Sequence, residues 1–367
     1  MFRPLAAAFA GFAVSVACAA EAPQQHRPSP TAPSIEAAAP AGDDGADPSL
    51  VAKAEILLHR AHVSPGEIDA SDGDNFRAAV RAFQELRGLT VNGKLDAETW
   101  NALAADHAQV LETHAISKAE VAGPFTRAIP AHLEQMARLP GLSYTSVQAE
   151  LAEKFHMSQD LLRKLNPDAD FAKAGTEVVV ADVQETKLEP GRRAVEIVPP
   201  KDPEGPVAAT IVIDKPARNL RAYDQAGQFL AFYPVTVGSQ EKPAPSGVFN
   251  VREVVWNPEY HYDPKFAWKE VRTRRRLTVG PGPNNPVGMV WIDLTAPSYG
   301  LHGTPSPAAI GKTESHGCIR LANWDAADLA AMSRPGTFVR FEDQDSPVVA
   351  TLPVDGAAES QSERPAP

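Results

Sequence analysis

Apolar residues recur three and four positions apart from Leu50 onward, at Ala54, Leu57, Leu58 and Ala61. This spacing puts them on one face of a helix that Pro65-Gly66 ends. A loop through Asp69 to Asn75 leads to a second amphipathic helix with Phe76, Ala79, Val80 and Phe83 on one face. Asp96-Ala97-Glu98-Thr99 then caps a third, which buries Trp100 and Leu103, since an Asp at that place can accept the free amides of a first turn. Between 140 and 183 the pattern predicts a small α+β unit. It has a helix holding Leu151, Phe155 and His156, then Leu161, Leu162 and Leu165-Asn166-Pro167, and a strand from Glu177 to Val180. Beyond 207 the texture becomes strand, with runs Ala208 to Asp214, Leu220 to Tyr223, Phe229 to Val237 and Gly247 to Val255. These predict a mainly β domain over 207–342.

The 34 prolines gather between 23 and 48, between 190 and 206, and at the C-terminus, where linkers are expected. We read 21–48 as a disordered linker and 343–367 as a disordered tail. The 367 residues thus predict a multidomain chain: helical over 49–106, α+β over 140–183, mainly β over 207–342. The net charge of -11 supplies no positive field for nucleic acid or anionic lipid. Arg3, the apolar run Leu5 to Ala17 and the small residues around Cys18 read as a secretory signal peptide over 1–20. That run is too short for a bilayer span of roughly 20 residues, so no transmembrane segment is expected. Ser15-Val16-Ala17-Cys18 also has the shape of a lipidation signal, which keeps an anchor through Cys18 open beside simple cleavage.

Cys18 and Cys318 are the only cysteines, so the mature chain carries Cys318 as a thiol without a disulfide partner. Such a cysteine is either buried and inert or a nucleophile, and its neighbours decide. Tyr299-Gly300-Leu301-His302-Gly303-Thr304 and Ser315-His316-Gly317-Cys318-Ile319-Arg320-Leu321 bring two histidines to it. An imidazole can take the thiol proton and stabilise the resulting charge. Gly303 and Gly317 allow close backbone approach, and amides around Gly317 and Cys318 can point at a developing oxyanion. Arg320 either pins a substrate carboxylate or braces the loop that carries Cys318. Ser315 bonds His302 or substrate, or serves the turn. Two His and one Cys would also suit zinc by ligand type. His156 reads as a packed helix histidine.

Three resemblances carry these readings further. Phe76-Arg77-Ala78-Ala79-Val80-Arg81-Ala82-Phe83-Gln84, Gly88 to Asp96 and Thr99-Trp100-Asn101-Ala102-Leu103 look like the three-helix peptidoglycan-binding domain of wall enzymes, although Asp72-Gly73-Asp74-Asn75 departs from that family's loop. Leu165-Asn166-Pro167 and Ala174-Gly175-Thr176 resemble a degenerate LysM-like module, which implies binding of N-acetylglucosamine chains. His302-Gly303-Thr304 with Ser315 to Leu321 looks like the signature of the L,D-transpeptidases. Gly282-Pro283-Asn284-Asn285-Pro286-Val287-Gly288 ahead of it and Asn323, Asp325 and Leu329 behind it extend the likeness.

That last resemblance implies a β-rich, sandwich or barrel-like catalytic domain with no cofactor and no metal. Cys318 would be the nucleophile, His302 the general base oriented by a backbone carbonyl, His316 and Gly317 the oxyanion side, and Arg320, Ser315 and Gly303 substrate contacts. Implied substrates are peptidoglycan stem peptides and glycan in the periplasm. The acceptor would be an amine of a second stem, of a wall-anchored lipoprotein, or of a D-amino acid. A hydrolase on the same scaffold and a non-catalytic wall-binding adaptor are the alternatives. Trp256 to Asp263 is expected as a lid over the sheet, with a packed plug as the plainer reading, and Arg272 to Arg276 as a basic cluster on a solvated face.

Overall fold

The computed structural model describes residues 29–40, 47–183, 187–200, 205–266, 273–315 and 317–343. The signal-like segment with Cys18, Arg272, His316 and the tail beyond 343 lie outside them.

The described chain opens with a capped turn where a linker was expected. Thr31 and Ser34 exchange side-chain and backbone hydrogen bonds at the start of α1 (Ala32–Ala37), satisfying amides that have no partner within the helix. Ile35 is fully buried, and Glu36 accepts from the amides of Val110 and Leu111 at 3.1 and 2.8 Å. One capped turn with one buried isoleucine orders residues 29–40 against the core, in spite of a composition rich in Ala and Pro.

Helices α2 (Pro48–Arg60), α3 (Asp74–Arg87) and α4 (Ala97–Leu103) follow the three amphipathic stretches. Asp96 caps α4 by accepting the Thr99 amide at 2.9 Å. Gln84, fully buried in α3, accepts from the amides of Asn92 and Gly93 and donates to the Thr99 hydroxyl, which fixes the turn between the two helices.

Next come β1 (Leu111–Ala115), α5 (Lys118–Ala122), α6 (Leu133–Met136), α7 (Val147–Lys154), α8 (Gln159–Leu165) and β2 (Glu177–Ala181). β1 pairs antiparallel with β2, so the α+β unit has its first strand well ahead of residue 140. Sequence reading missed that strand because Glu112, Thr113 and Ala115 are not buried, so no apolar alternation announces it. Phe83 and Leu58 of the first helices share one core with Phe155 and Leu151 of the second unit. The two small units are one packed body rather than beads on a string.

The hairpin β3 (Leu188–Pro190) and β4 (Val195–Ile197) leads into β5 (Thr210–Asp214), β6 (Asn219–Tyr223), β7 (Phe229–Pro234) and β8 (Gly247–Trp256). After them come β9 (Tyr260–Tyr262), β10 (Leu277–Val279), β11 (Val290–Leu294), β12 (Gly300–His302), β13 (Ile319–Arg320), α9 (Asn323–Met332) and β14 (Phe338–Glu342). The main sheet runs β13-β12-β11-β8-β14-β5-β6-β7. The chain beyond β7 returns to its far edge, where Thr236 and Arg320 exchange two backbone hydrogen bonds of 3.0 Å. The sheet therefore curls toward closure, which leaves β13 without a free edge. β7 is covered as well: the Phe232 amide donates to the His62 carbonyl and the Ser64 amide to the Phe232 carbonyl, both at 2.9 Å. The Phe232 side chain belongs to the core of the helical body.

Candidate active site

β12 and β13 run parallel, with Leu301 opposite Ile319 and His302 opposite Arg320. Side chains alternate along a strand and paired residues share a face. His302 and Arg320 therefore look the same way as Gly300 and Cys318, each two residues earlier. A Cβ on Gly300 would stand 2.6 Å from the Trp291 ring, so its bareness lets that ring pack there, and its N–H donates to the Cys318 sulfur. The thiol also lies 3.9 Å from the Ser298 carbonyl.

His302 is 4% exposed, and its Nδ1 lies 2.7 Å from the Gly303 carbonyl oxygen. A carbonyl only accepts, so Nδ1 carries the proton and Nε2 keeps its lone pair. The ring stacks on Trp291, with centroids 5.5 Å apart and planes at 19°; Trp291 is its register partner on β11. Burial pushes the imidazole down to about 4, the Gly303 bond opposing and the Arg320 charge adding. Burial also pushes the Cys318 thiol up, against lowering by the Gly300 N–H and by Arg320. At rest the thiol thus keeps its proton and the imidazole is uncharged.

The expected substrate contacts divide. Ser315 is buried; its hydroxyl donates to the Cys318 carbonyl at 2.6 Å and accepts the Gly317 amide at 3.1 Å. Its hydroxyl serves the turn, one of the two roles expected of it. Gly317 sits at φ +107°, and a Cβ there would come 2.8 Å from the Tyr299 ring. Because Ser315 engages the Gly317 amide, the Cys318 amide is the one of the two that remains for an oxyanion. Gly303 is no approach path for substrate: a Cβ on it would stand 2.1 Å from Asn323 Oδ1, so its bareness serves that packing. Arg320 reaches the Glu314 carbonyl only at 3.5 Å, a weak brace, while its charge bears on the thiol. His316 falls outside the described residues.

Tyr260 was missed as an individual site residue. Burial raises its phenol, with the Cys318 and Tyr262 charges adding and Arg320 opposing, which puts it within electrostatic reach of the thiol. The signal available was the aromatic stretch from Trp256 to Asp263. Within that stretch the plainer reading has contacts behind it: Tyr262 is 2% exposed and donates to the Thr273 carbonyl at 3.3 Å as a plug. In the basic cluster, Arg276 pairs with Asp263 at 3.1 Å. His156 is buried, stacked on Trp324 with centroids 5.1 Å apart and 3.1 Å from His59 Nε2, as a packed histidine should be.

Residues 208–349 match the L,D-transpeptidase catalytic domain family, and residues 47–103 match the "Putative peptidoglycan binding domain" family. Over 202 residues the chain is 27% identical to "Putative L,D-transpeptidase YkuD" of Bacillus licheniformis, covering 54% of this chain and 93% of that one. It is 30% identical over 154 residues to "Probable L,D-transpeptidase YbiS" of Escherichia coli K12, covering 40% of this chain and about half (48%) of the relative. A solved L,D-transpeptidase from Mycobacterium smegmatis is similar at 19% identity, over 48% of this chain and 76% of that chain, with a TM-score of 0.30, too partial a likeness to bear on function. Two family matches in the right order, and relatives all bearing one activity name, agree with the mainly β, cysteine-bearing domain behind a helical one. Residues 208–349 are thus a catalytic domain of the L,D-transpeptidase family, residues 47–103 ahead of it a peptidoglycan-binding domain, and the chain is an enzyme.

Proposed function

We propose that the protein is a peptidoglycan L,D-transpeptidase in which Cys318 is the nucleophile and His302 the general base. The observation that carries this reading is the 2.7 Å bond from His302 Nδ1 to the Gly303 carbonyl, which leaves Nε2 basic on the strand next to the one that Cys318 opens. In the first half-reaction Nε2 takes the thiol proton as sulfur attacks the stem-peptide carbonyl. The tetrahedral oxyanion is met by the Cys318 amide and by the positive charge of Arg320. Collapse breaks the amide bond, and the imidazolium returns its proton to the departing D-alanine nitrogen, leaving a thioester. In the second half an amine attacks that thioester, gives its proton to His302, and displaces the thiolate. The amine comes from a second stem, for a 3→3 crosslink, or from a lipoprotein lysine. Gly317 and Ser315 hold the turn that presents Cys318, and Tyr260 lies within electrostatic reach of the thiol. The helical body would hold the enzyme on its polymer in the periplasm, its α+β unit acting as a LysM-like module.

Intact-protein mass spectrometry of the full chain with a disaccharide-tetrapeptide, beside a Cys318→Ala control, tests this reading. A thioester adduct, released D-alanine and a crosslinked dimer, all absent from the control, are expected. Tripeptide without dimer would move the reading to a hydrolase on the same scaffold. No adduct and no D-alanine would leave a wall-binding adaptor.

A further inference from the structure

The loop that anchors the candidate base is held from outside the catalytic domain. Asn323, 1% exposed at the start of α9, is wedged against the bare Cα atoms of Gly288 and Gly303: a Cβ on either would come 2.1 Å from its Oδ1. That oxygen accepts the Met289 amide at 3.2 Å. Its Nδ2 donates to Glu153 Oε1 at 2.9 Å and faces the Pro283 carbonyl at 3.3 Å. Glu153 belongs to α7 in the helical body, and the same oxygen accepts the Tyr144 hydroxyl at 2.8 Å. Tyr144 in turn reaches the Met289 sulfur at 3.9 Å.

A carboxylate that accepts from Nδ2 dictates which way the Asn323 amide faces, because the flipped amide would set oxygen against oxygen. With that orientation set, Oδ1 lies flush on Gly303, whose own carbonyl holds His302 Nδ1. From these contacts we infer that Glu153 is a positioning residue for His302, acting through Asn323 and Gly303, so that the helical body completes the active site as well as any binding it performs. The inference rests on the reading of His302 as the base.

The test follows Cys318 alkylation by iodoacetamide in the full-length protein. Sulfur displaces iodide from carbon in this reaction, so its rate reads the thiol and its base without any wall substrate. Four proteins are compared across pH: wild type, His302→Ala, Glu153→Gln, which keeps an acceptor for Asn323, and Glu153→Met, which fills similar space without one. Glu153→Met is expected to slow labelling by about tenfold toward the His302→Ala rate, the scale of loss that a displacement of an ångström or less brings. Glu153→Gln should stay within about twofold of wild type, since its acceptor keeps the geometry. Melting temperatures of the two Glu153 variants serve as the folding control. If Glu153→Met labels as wild type does while His302→Ala is slow, or if Glu153→Gln falls as far as Glu153→Met, the positioning role is overturned. If His302→Ala itself labels like wild type, the reading of His302 as base fails first, and the inference with it.

Discussion

The Nδ1 of His302 lies 2.7 Å from the carbonyl oxygen of its own chain neighbour Gly303. Among the described residues no carboxylate bonds this imidazole; a backbone carbonyl sets its tautomer and its direction, and a carbonyl carries no charge to stabilise the protonated ring. Burial therefore acts with little opposition and lowers the group to about 4.

That lowering changes the pH behaviour expected of an ordinary imidazole, which would switch on between about pH 6 and 7. Because the folded value is depressed, His302 stays a competent base down to about pH 5 and is lost only as pH falls through about 4. The acid limb of kcat/KM should sit near 4, and an acid limb centred near 6.5 would contradict the buried geometry. Stability follows the same sign: the unfolded imidazole takes up its proton near 6.5, so this contribution to stability weakens as pH falls from there toward 4.

Among the described residues, Arg320 is the cation that bears on Cys318, lowering a thiol that burial raises. Replacing it with methionine keeps much of the bulk and removes the charge. The midpoint of Cys318 alkylation in Arg320→Met should move to higher pH than in wild type. An unmoved midpoint would assign Arg320 to bracing alone, through the Glu314 carbonyl.

Asp325 presents a different cost. Both of its carboxylate oxygens are buried, and burial raises the group well above the carboxylate range, with Asp328 adding and a hydrogen bond from the Ser64 hydroxyl opposing. Its folded value lies above its unfolded one, so stability is lost as pH rises above about 4, at about 1.4 kcal/mol for each unit of separation traversed. Asp325→Asn has no such charge to suppress. The variant should melt near wild type at pH 4 and above it at pH 7, read by calorimetry at both; equal melting at pH 7 would refute the argument.

Phe232 joins the two bodies, its backbone pairing with His62 and Ser64 and its side chain fully buried in the helical core. Phe232→Ala should cost about 3 to 5 kcal/mol in chemical denaturation. If the helical body and the sheet unfold as one unit, a single transition shifts; two separated transitions in wild type would argue against that coupling.

Much of this protein was legible in its sequence because the signals are local. Helical spacing at Leu50 to Ala61 and at Phe76 to Phe83, the Asp96 cap, and the strand runs after Ala208 each depend on neighbours within a few residues, and each appears where the pattern predicts. The signature around His302 and Cys318 is carried by two short runs, so a candidate site could be picked out from residue type and order. Contacts between distant segments decided the rest. The strand Leu111 to Ala115 exists because Glu177 to Ala181 pairs with it, residues 29–40 are ordered because Ile35 finds a core, and Ser315 serves the turn because the Cys318 carbonyl and the Gly317 amide both meet its hydroxyl. Glu153 behind Asn323 belongs to the same class: residues far apart in the chain, brought together by packing, whose contact no spacing in the sequence records. Local propensity and order determined the elements and the candidate reacting groups, and tertiary burial determined the protonation and orientation of those groups, because desolvation and hydrogen-bond direction depend on everything that surrounds a group.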